Sequence, residues 1–200
     1  MSINPREIPE GAIRFNTDSS KMEVWNGLKW MQVAVSSPNL DGGARALFAG
    51  GLGTPGSIQD RIDYITTSTQ GDAIDFGDLT GSRFGGAGGS SRTRGVFMGG
   101  GTPTRLDNID FVTIASTGNA ADFGDSTVLR AQCTATMSNS IRGVFAGGYQ
   151  PSPNSTDTNT VDFIEIATTG NATDFGDISR DNNDSNRENG GCSDSHGGIE

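Results

Sequence analysis

Arg94-Gly95-Val96-Phe97-Met98-Gly99-Gly100 returns as Arg142-Gly143-Val144-Phe145-Ala146-Gly147-Gly148 and, more loosely, as Arg45-Ala46-Leu47-Phe48-Ala49-Gly50-Gly51. Two further echoes follow each copy in the same order. The first is Ile62-Asp63-Tyr64-Ile65, Ile109-Asp110-Phe111-Val112 and Val161-Asp162-Phe163-Ile164; the second is Asp75-Phe76-Gly77-Asp78, Asp122-Phe123-Gly124-Asp125 and Asp174-Phe175-Gly176-Asp177. A period of about fifty residues with drifting spacing describes a fixed scaffold carrying loops of variable length. In such a chain neighbouring units share their burial, so length is a weak guide to domain number.

The period is built from strands. Thirty glycines suit tight turns and disfavour helices. Each unit opens with an apolar strand ending in Gly-Gly (Gly50-Gly51, Gly99-Gly100, Gly147-Gly148), followed by a loop holding Pro55, Pro103, or Pro151 and Pro153. A second strand (62–66, 109–114, 161–166) has apolar side chains on both faces, as a strand sandwiched between neighbours requires. Thr117-Gly118-Asn119-Ala120 and Thr169-Gly170-Asn171-Ala172 are turns, with Ser68-Thr69-Gln70-Gly71 their counterpart, and lead into segments around Phe76, Phe123 and Phe175. A fourth, small-residue segment (85–91, 132–138, 190–195) is expected to close each unit. Four short strands per period is the arithmetic of a propeller blade. The expected units are residues 44–93, 94–141 and 142–200.

Residues 1–36 stand outside the repeat. Ala12 to Asn16, Lys21 to Trp25 and Leu28 to Val33 read as a three-stranded meander, with Asn26-Gly27 as its hairpin turn. So small a sheet is insecure alone, and it carries Ile13, Phe15, Trp25 and Trp30 within eighteen residues. It is read as an attachment or oligomerisation segment that buries these side chains against another chain, with residues 37–43 as a linker.

Gly11-Ala12-Ile13-Arg14-Phe15-Asn16-Thr17-Asp18, with Glu23-Val24-Trp25-Asn26-Gly27 and Trp30, resembles a segment that recurs in bacteriophage virion proteins, above all tail fibres. The Gly-Gly strand ends over residues 45–200 resemble the kelch repeat, with the Asp-Phe-Gly-Asp phenylalanines standing in for its late tryptophan. The three echoes together resemble degenerate repeats in structural proteins of phages of marine bacteria and cyanobacteria. These resemblances imply an all-β chain, a meander followed by kelch-like propeller blades, in a tail fibre or similar appendage. The partners they imply are other virion proteins, a homo-oligomer (a trimer by analogy) and a host-surface receptor or glycan; the implied location is the virion. A capsid decoration or tail-assembly protein is the second reading and a glycan-acting propeller enzyme the third. Propellers close with about four to eight blades and three units are visible, so the ring is expected to be completed by further repeats past Glu200 or by several chains.

Other chemistry is poorly supported. A net charge of −10 works against a phosphate-backbone partner, and the arginines opening the repeats read as strand-edge residues. No run is apolar enough for a membrane span, and residues 1–10 lack the apolar core of a signal peptide. Asp-Phe-Gly matches the metal-binding triplet of protein kinases, but it occurs three times at the repeat period without the companion lysine and catalytic loop, and reads as an Asp-capped turn with a buried Phe. Gly51-Leu52-Gly53-Thr54-Pro55-Gly56 precedes a strand where a dinucleotide site needs a helix. His196 is the single histidine, which excludes histidine-pair metal sites, and Asp181 to Glu188 departs from a calcium loop at Asn186 and Cys192. Asn154, Asn171 and Asn183 read as turn residues rather than glycan acceptors, and Cys133 and Cys192 as small buried residues. No cofactor, metal or catalytic residue is expected.

Overall fold

A computed structural model describes residues 8–17, 21–33, 45–132, 135–151, 156–179 and 191–193. Residues 37–43, the acidic loop 181–188, His196, Cys133, Asn154 and Asn183, with the expectations placed on them, lie outside these ranges. The described residues are all-β, in four small antiparallel sheets. The chain divides into two compact units, Met1–Asn39 and Leu40–Glu200.

The first unit is a meander of β1 (Ile13–Asn16), β2 (Lys21–Trp25) and β3 (Trp30–Gln32). Asn26 sets its hairpin: its Oδ1 accepts from the amides of Leu28 (3.1 Å) and Lys29 (2.8 Å), and Gly27 takes the positive φ of 86° that the turn demands. Register places Ile13 beside Val24 and Met31, and Phe15 beside Met22, on one face of the sheet. Arg14, Glu23 and Gln32 share the other face.

The described residues of the second unit form three propeller-like blades that do not close. Blade 1 comprises β4 (Arg45–Leu52), β5 (Ile58–Thr66) and β6 (Ile74–Asp78). Blade 2 has β7 (Ala87–Ser90), β8 (Arg94–Met98), β10 (Thr104–Thr113) and β11 (Ala121–Arg130), with the short β9 (Gly101–Thr102) pairing β10. Blade 3 has β12 (Ala135–Ser138), β13 (Arg142–Ala146), β14 (Thr160–Glu165) and β15 (Thr173–Asp177).

Two expectations are corrected here. The small-residue segment opens the next sheet instead of closing its own: β7 pairs β8, and β12 pairs β13. The cause is loop length. Ser91 and Asn139 close tight turns onto Arg94 and Arg142, whose carbonyls accept from their amides at 2.9 and 3.0 Å, whereas a long connector separates β6 from β7. Asp-Phe-Gly-Asp, expected as a capped turn, is strand: it ends β6 and β15 and lies within β11, beside a register shift in each partner strand. The glycine takes φ of 148°, 143° and 134° in the three copies, a conformation that other residues rarely adopt.

The core lies between blades. Ile62, Phe76, Leu79 and Val112 are buried together, with Leu47, Tyr64 and Phe97 packed on them, where blades 1 and 2 meet. Val96, Met98, Ile109 and Phe123 meet Phe145, Ile164 and Ile166 between blades 2 and 3. Successive side chains of each strand therefore face opposite neighbours, which is why the second strand is apolar on both faces.

Candidate functional site

Each blade repeats one arginine-aromatic stack. The guanidinium carbons of Arg45, Arg94 and Arg142 sit 4.7, 4.7 and 4.9 Å from the ring centroids of Tyr64, Phe111 and Phe163. Those rings meet Phe76, Phe123 and Phe175 edge-on at 5.9 Å. Arg45 and Arg94 also donate to the carbonyls of Ile114 (2.7 Å) and Ile166 (3.0 Å) in the following blade. The arginines expected as strand-edge residues are thus joints between blades.

The second joint was not foreseen. In the connector after blade 1, the amide and hydroxyl of Thr80 donate to the Asp110 carboxylate of blade 2 at 2.9 and 2.8 Å, and Arg83 Nη2 donates to it at 2.7 Å. Thr127 and Arg130 bind Asp162 of blade 3 in the same way, Thr127 at 3.1 and 2.6 Å, with Arg130 Nη2 on Oδ2. These ion pairs are almost completely buried. A signal was present in the sequence: a Thr-x-x-Arg begins two residues after Asp78 and Asp125, and the aspartate recurs in every Ile/Val-Asp-aromatic echo. A third joint is backbone: the amides of Gly118 and Ala120 donate to the carbonyls of Phe76 and Asp78, and those of Gly170 and Ala172 to Phe123 and Asp125. Asn171, read as a turn residue, accepts from the Asp125 amide at 3.1 Å.

The Gly-Gly pairs locate the loop-bearing end of the blades. Gly50-Gly51, Gly99-Gly100 and Gly147-Gly148 all have positive φ, between 64° and 115°. The amides of Gly51 and Gly100 donate to the carbonyls of Arg83 and Arg130 at 2.8 and 2.9 Å, so each connector is pinned against the preceding strand's end. A Cβ on Gly100 would lie 3.0 Å from the Phe84 carbonyl oxygen, and one on Gly148 3.2 Å from that of Ala131. Beyond these glycines the β4–β5, β8–β9 and β13–β14 connections share one end with the connectors. There Arg105 stacks on Tyr149 at 4.8 Å, and Ala131 bridges to Tyr149. Gly51 to Gly56 leads into β5, so the glycine trio has no helix after it.

On the meander, Ile13 and Phe15 are exposed on one face, with Met22, Met31 and Val33 around them. Trp25, read as an assembly residue, is buried, its ring 5.5 Å from that of Trp30. Trp30 is half-buried beneath the Arg14 guanidinium, 4.2 Å away. The alternation that puts Ile13 and Phe15 on one face puts Trp25 and Trp30 on the other. A hydrogen bond from Asn16, and then the Arg14 guanidinium, hold the Glu23 carboxyl below its ordinary range.

Phe76 and Phe123 are 2% and 3% exposed, but Phe175 is 60% exposed. Cys192, expected buried, is exposed. Its segment meets β12 through Ser193, whose hydroxyl donates to the Ser138 carbonyl at 2.7 Å, while Cys192 itself is left open. Among the described residues no group of three or more His, Cys, Asp or Glu could hold a metal ion, and no helix is long and apolar enough to cross a membrane.

No family model and no curated protein matches this chain. Among solved structures, that of YjhT matches with a TM-score of 0.55 at 10% identity, over 88% of this chain and 68% of that one. A likeness at this identity is one of fold: this chain is similar to YjhT in the arrangement of its strands.

Proposed function

We propose that the chain is a non-enzymatic structural component of a bacteriophage virion, a tail fibre or similar appendage, whose blades present loops to a host surface or to a neighbouring virion protein. The observation that carries this reading is the division of labour within each blade. Buried joints fix the sheets, while the connections after Gly51, Gly100 and Gly148 differ in length and share one end. Loops on a rigid scaffold are where binding residues are placed. The phage-like meander supports the same reading, because its apolar face of Ile13 and Phe15 offers an attachment surface to other virion proteins or to further copies.

The test is binding of the purified protein to host cells. The expected result is binding that is lost when the loops after Gly51, Gly100 and Gly148 are exchanged for short turns. Normal adsorption by particles lacking the protein would instead make it a decoration or assembly protein. Hydrolysis of host polysaccharide would replace both readings with a glycan-acting enzyme.

A further inference from the structure

The two ends of the blade row are the two halves of one joint. Inside the row, the outgoing side of a blade presents the Asp-Phe-Gly-Asp phenylalanine and the carbonyls beside it. The incoming side of the next blade presents Gly-Asn-Ala amides and the buried aspartate. Blade 3 shows the outgoing half uncovered. Phe175 is exposed, and a Cβ on Gly176 would meet nothing within 4 Å, whereas one on Gly124 would collide with Gly170, 2.5 Å away. Blade 1 shows the incoming half uncovered. Phe48 is 56% exposed where its counterpart Phe145 is fully buried, Gly71-Asp72-Ala73 stands at the Gly-Asn-Ala position, and Asp63 takes an ion pair with Arg61 of its own strand at 2.7 Å.

The inner strands repeat the asymmetry. Blade 1 has no inner strand among the described residues, and a cavity of about 360 Å³ lies along β4, lined by Leu47, Gly89, Ser90 and Ser138 among others. At the other end, the Ser193 hydroxyl donates to the Ser138 carbonyl and the Ser90 amide of β7 donates to the Ser138 hydroxyl. Residues 191–193 thus touch β12, as the inner strand of a further blade would.

From this complementarity we infer that a second copy of this chain docks head to tail, the Phe175 face of one copy on the Phe48 and Asp63 face of the next, with residues 191–193 lying in the slot along β4. The joint is heterologous, so copies close into a ring where the rotation allows and otherwise extend. It is independent of the loop-binding reading above.

The experiment is light-scattering mass of the full chain with Phe175→Asp and Phe48→Asp variants. Both side chains are exposed, so folding is expected to survive, as circular dichroism would verify. Wild type is expected at a multiple of 20.8 kDa, and each variant at lower mass with association weakened about thirtyfold or more, as for a central interface residue. Mixing the two variants is expected to restore one joint, since each retains the half that the other lacks. A wild-type monomer at 100 µM would overturn the inference, as would a Phe175→Asp mass equal to wild type. Variants that associate no better when mixed than apart would also overturn it.

Discussion

Asp110 illustrates how a single buried side chain can join two sheets. Its carboxylate collects Thr80 and Arg83 from a connector that belongs to the preceding blade. Removing one partner from such a pair strands the other charge away from water, at a cost of about 3–5 kcal/mol. Asp110→Ala is therefore expected to lower unfolding stability by that amount in urea titrations. The double variant Arg83→Met with Asp110→Leu should lose less, because no unpaired charge remains. Glu23 gives a second prediction at this scale. Its carboxyl titrates below its ordinary value, so the stabilisation it gives the meander is present above the ordinary carboxylate pKa of about 4.3 and disappears as pH falls through the lowered folded-state value. Fluorescence of Trp25 and Trp30 is expected to report that acid transition, and Glu23→Gln to flatten it.

Among the elements, the Asp-Phe-Gly-Asp strands allow a controlled comparison. Gly124 and Gly176 have nearly the same positive φ, so alanine incurs the same backbone strain at either site. Of these two, only Gly124 faces the backbone of a following blade. Gly124→Ala is thus expected to destabilise the chain by about 1–3 kcal/mol more than Gly176→Ala, the usual cost of overpacking, as measured by chemical denaturation. Strand content and blade count were legible because Gly-Gly, the doubly apolar second strand and the phenylalanines mark every period. The sheet boundary was not, because hydrogen-bonding partners depend on loop lengths and not on the repeat phase; β7 precedes Arg94 in the chain yet belongs to its sheet. The loop-bearing end was likewise readable from Gly-Gly followed by proline. The Thr-x-x-Arg joint was missed because its acceptor lies about thirty residues downstream, as with Asp110 and Thr80, within a strand whose apolar residues carried the stronger pattern. The sorting of the meander's apolar residues between faces was not legible for a simpler reason: hydrophobicity identifies a residue that needs cover, but which face it occupies follows from register, and Trp25 shares a face with Trp30 and not with Phe15.

Over the whole molecule, only the middle blade has a described blade on each side. Stability in a stacked array is a sum of unit and nearest-neighbour terms, so in the unassembled Phe175→Asp variant amide hydrogen exchange should be slowest in β8 and β10 and faster in β4, β5 and β15. Uniform protection across the blades would contradict that expectation. The one-strand offset between the covalent period and the hydrogen-bonded sheet bears on how such an array can change in length. A duplication or deletion of one period whose ends fall in the tight turns before Arg94 and Arg142 joins the inner strand of one blade to the outer strands of another. Such a junction asks an inner strand to fit new neighbours, which the short side chains of Ala87-Gly88-Gly89-Ser90 meet more readily than Ala135-Thr136-Met137-Ser138, whose Met137 packs against the core of its own blade.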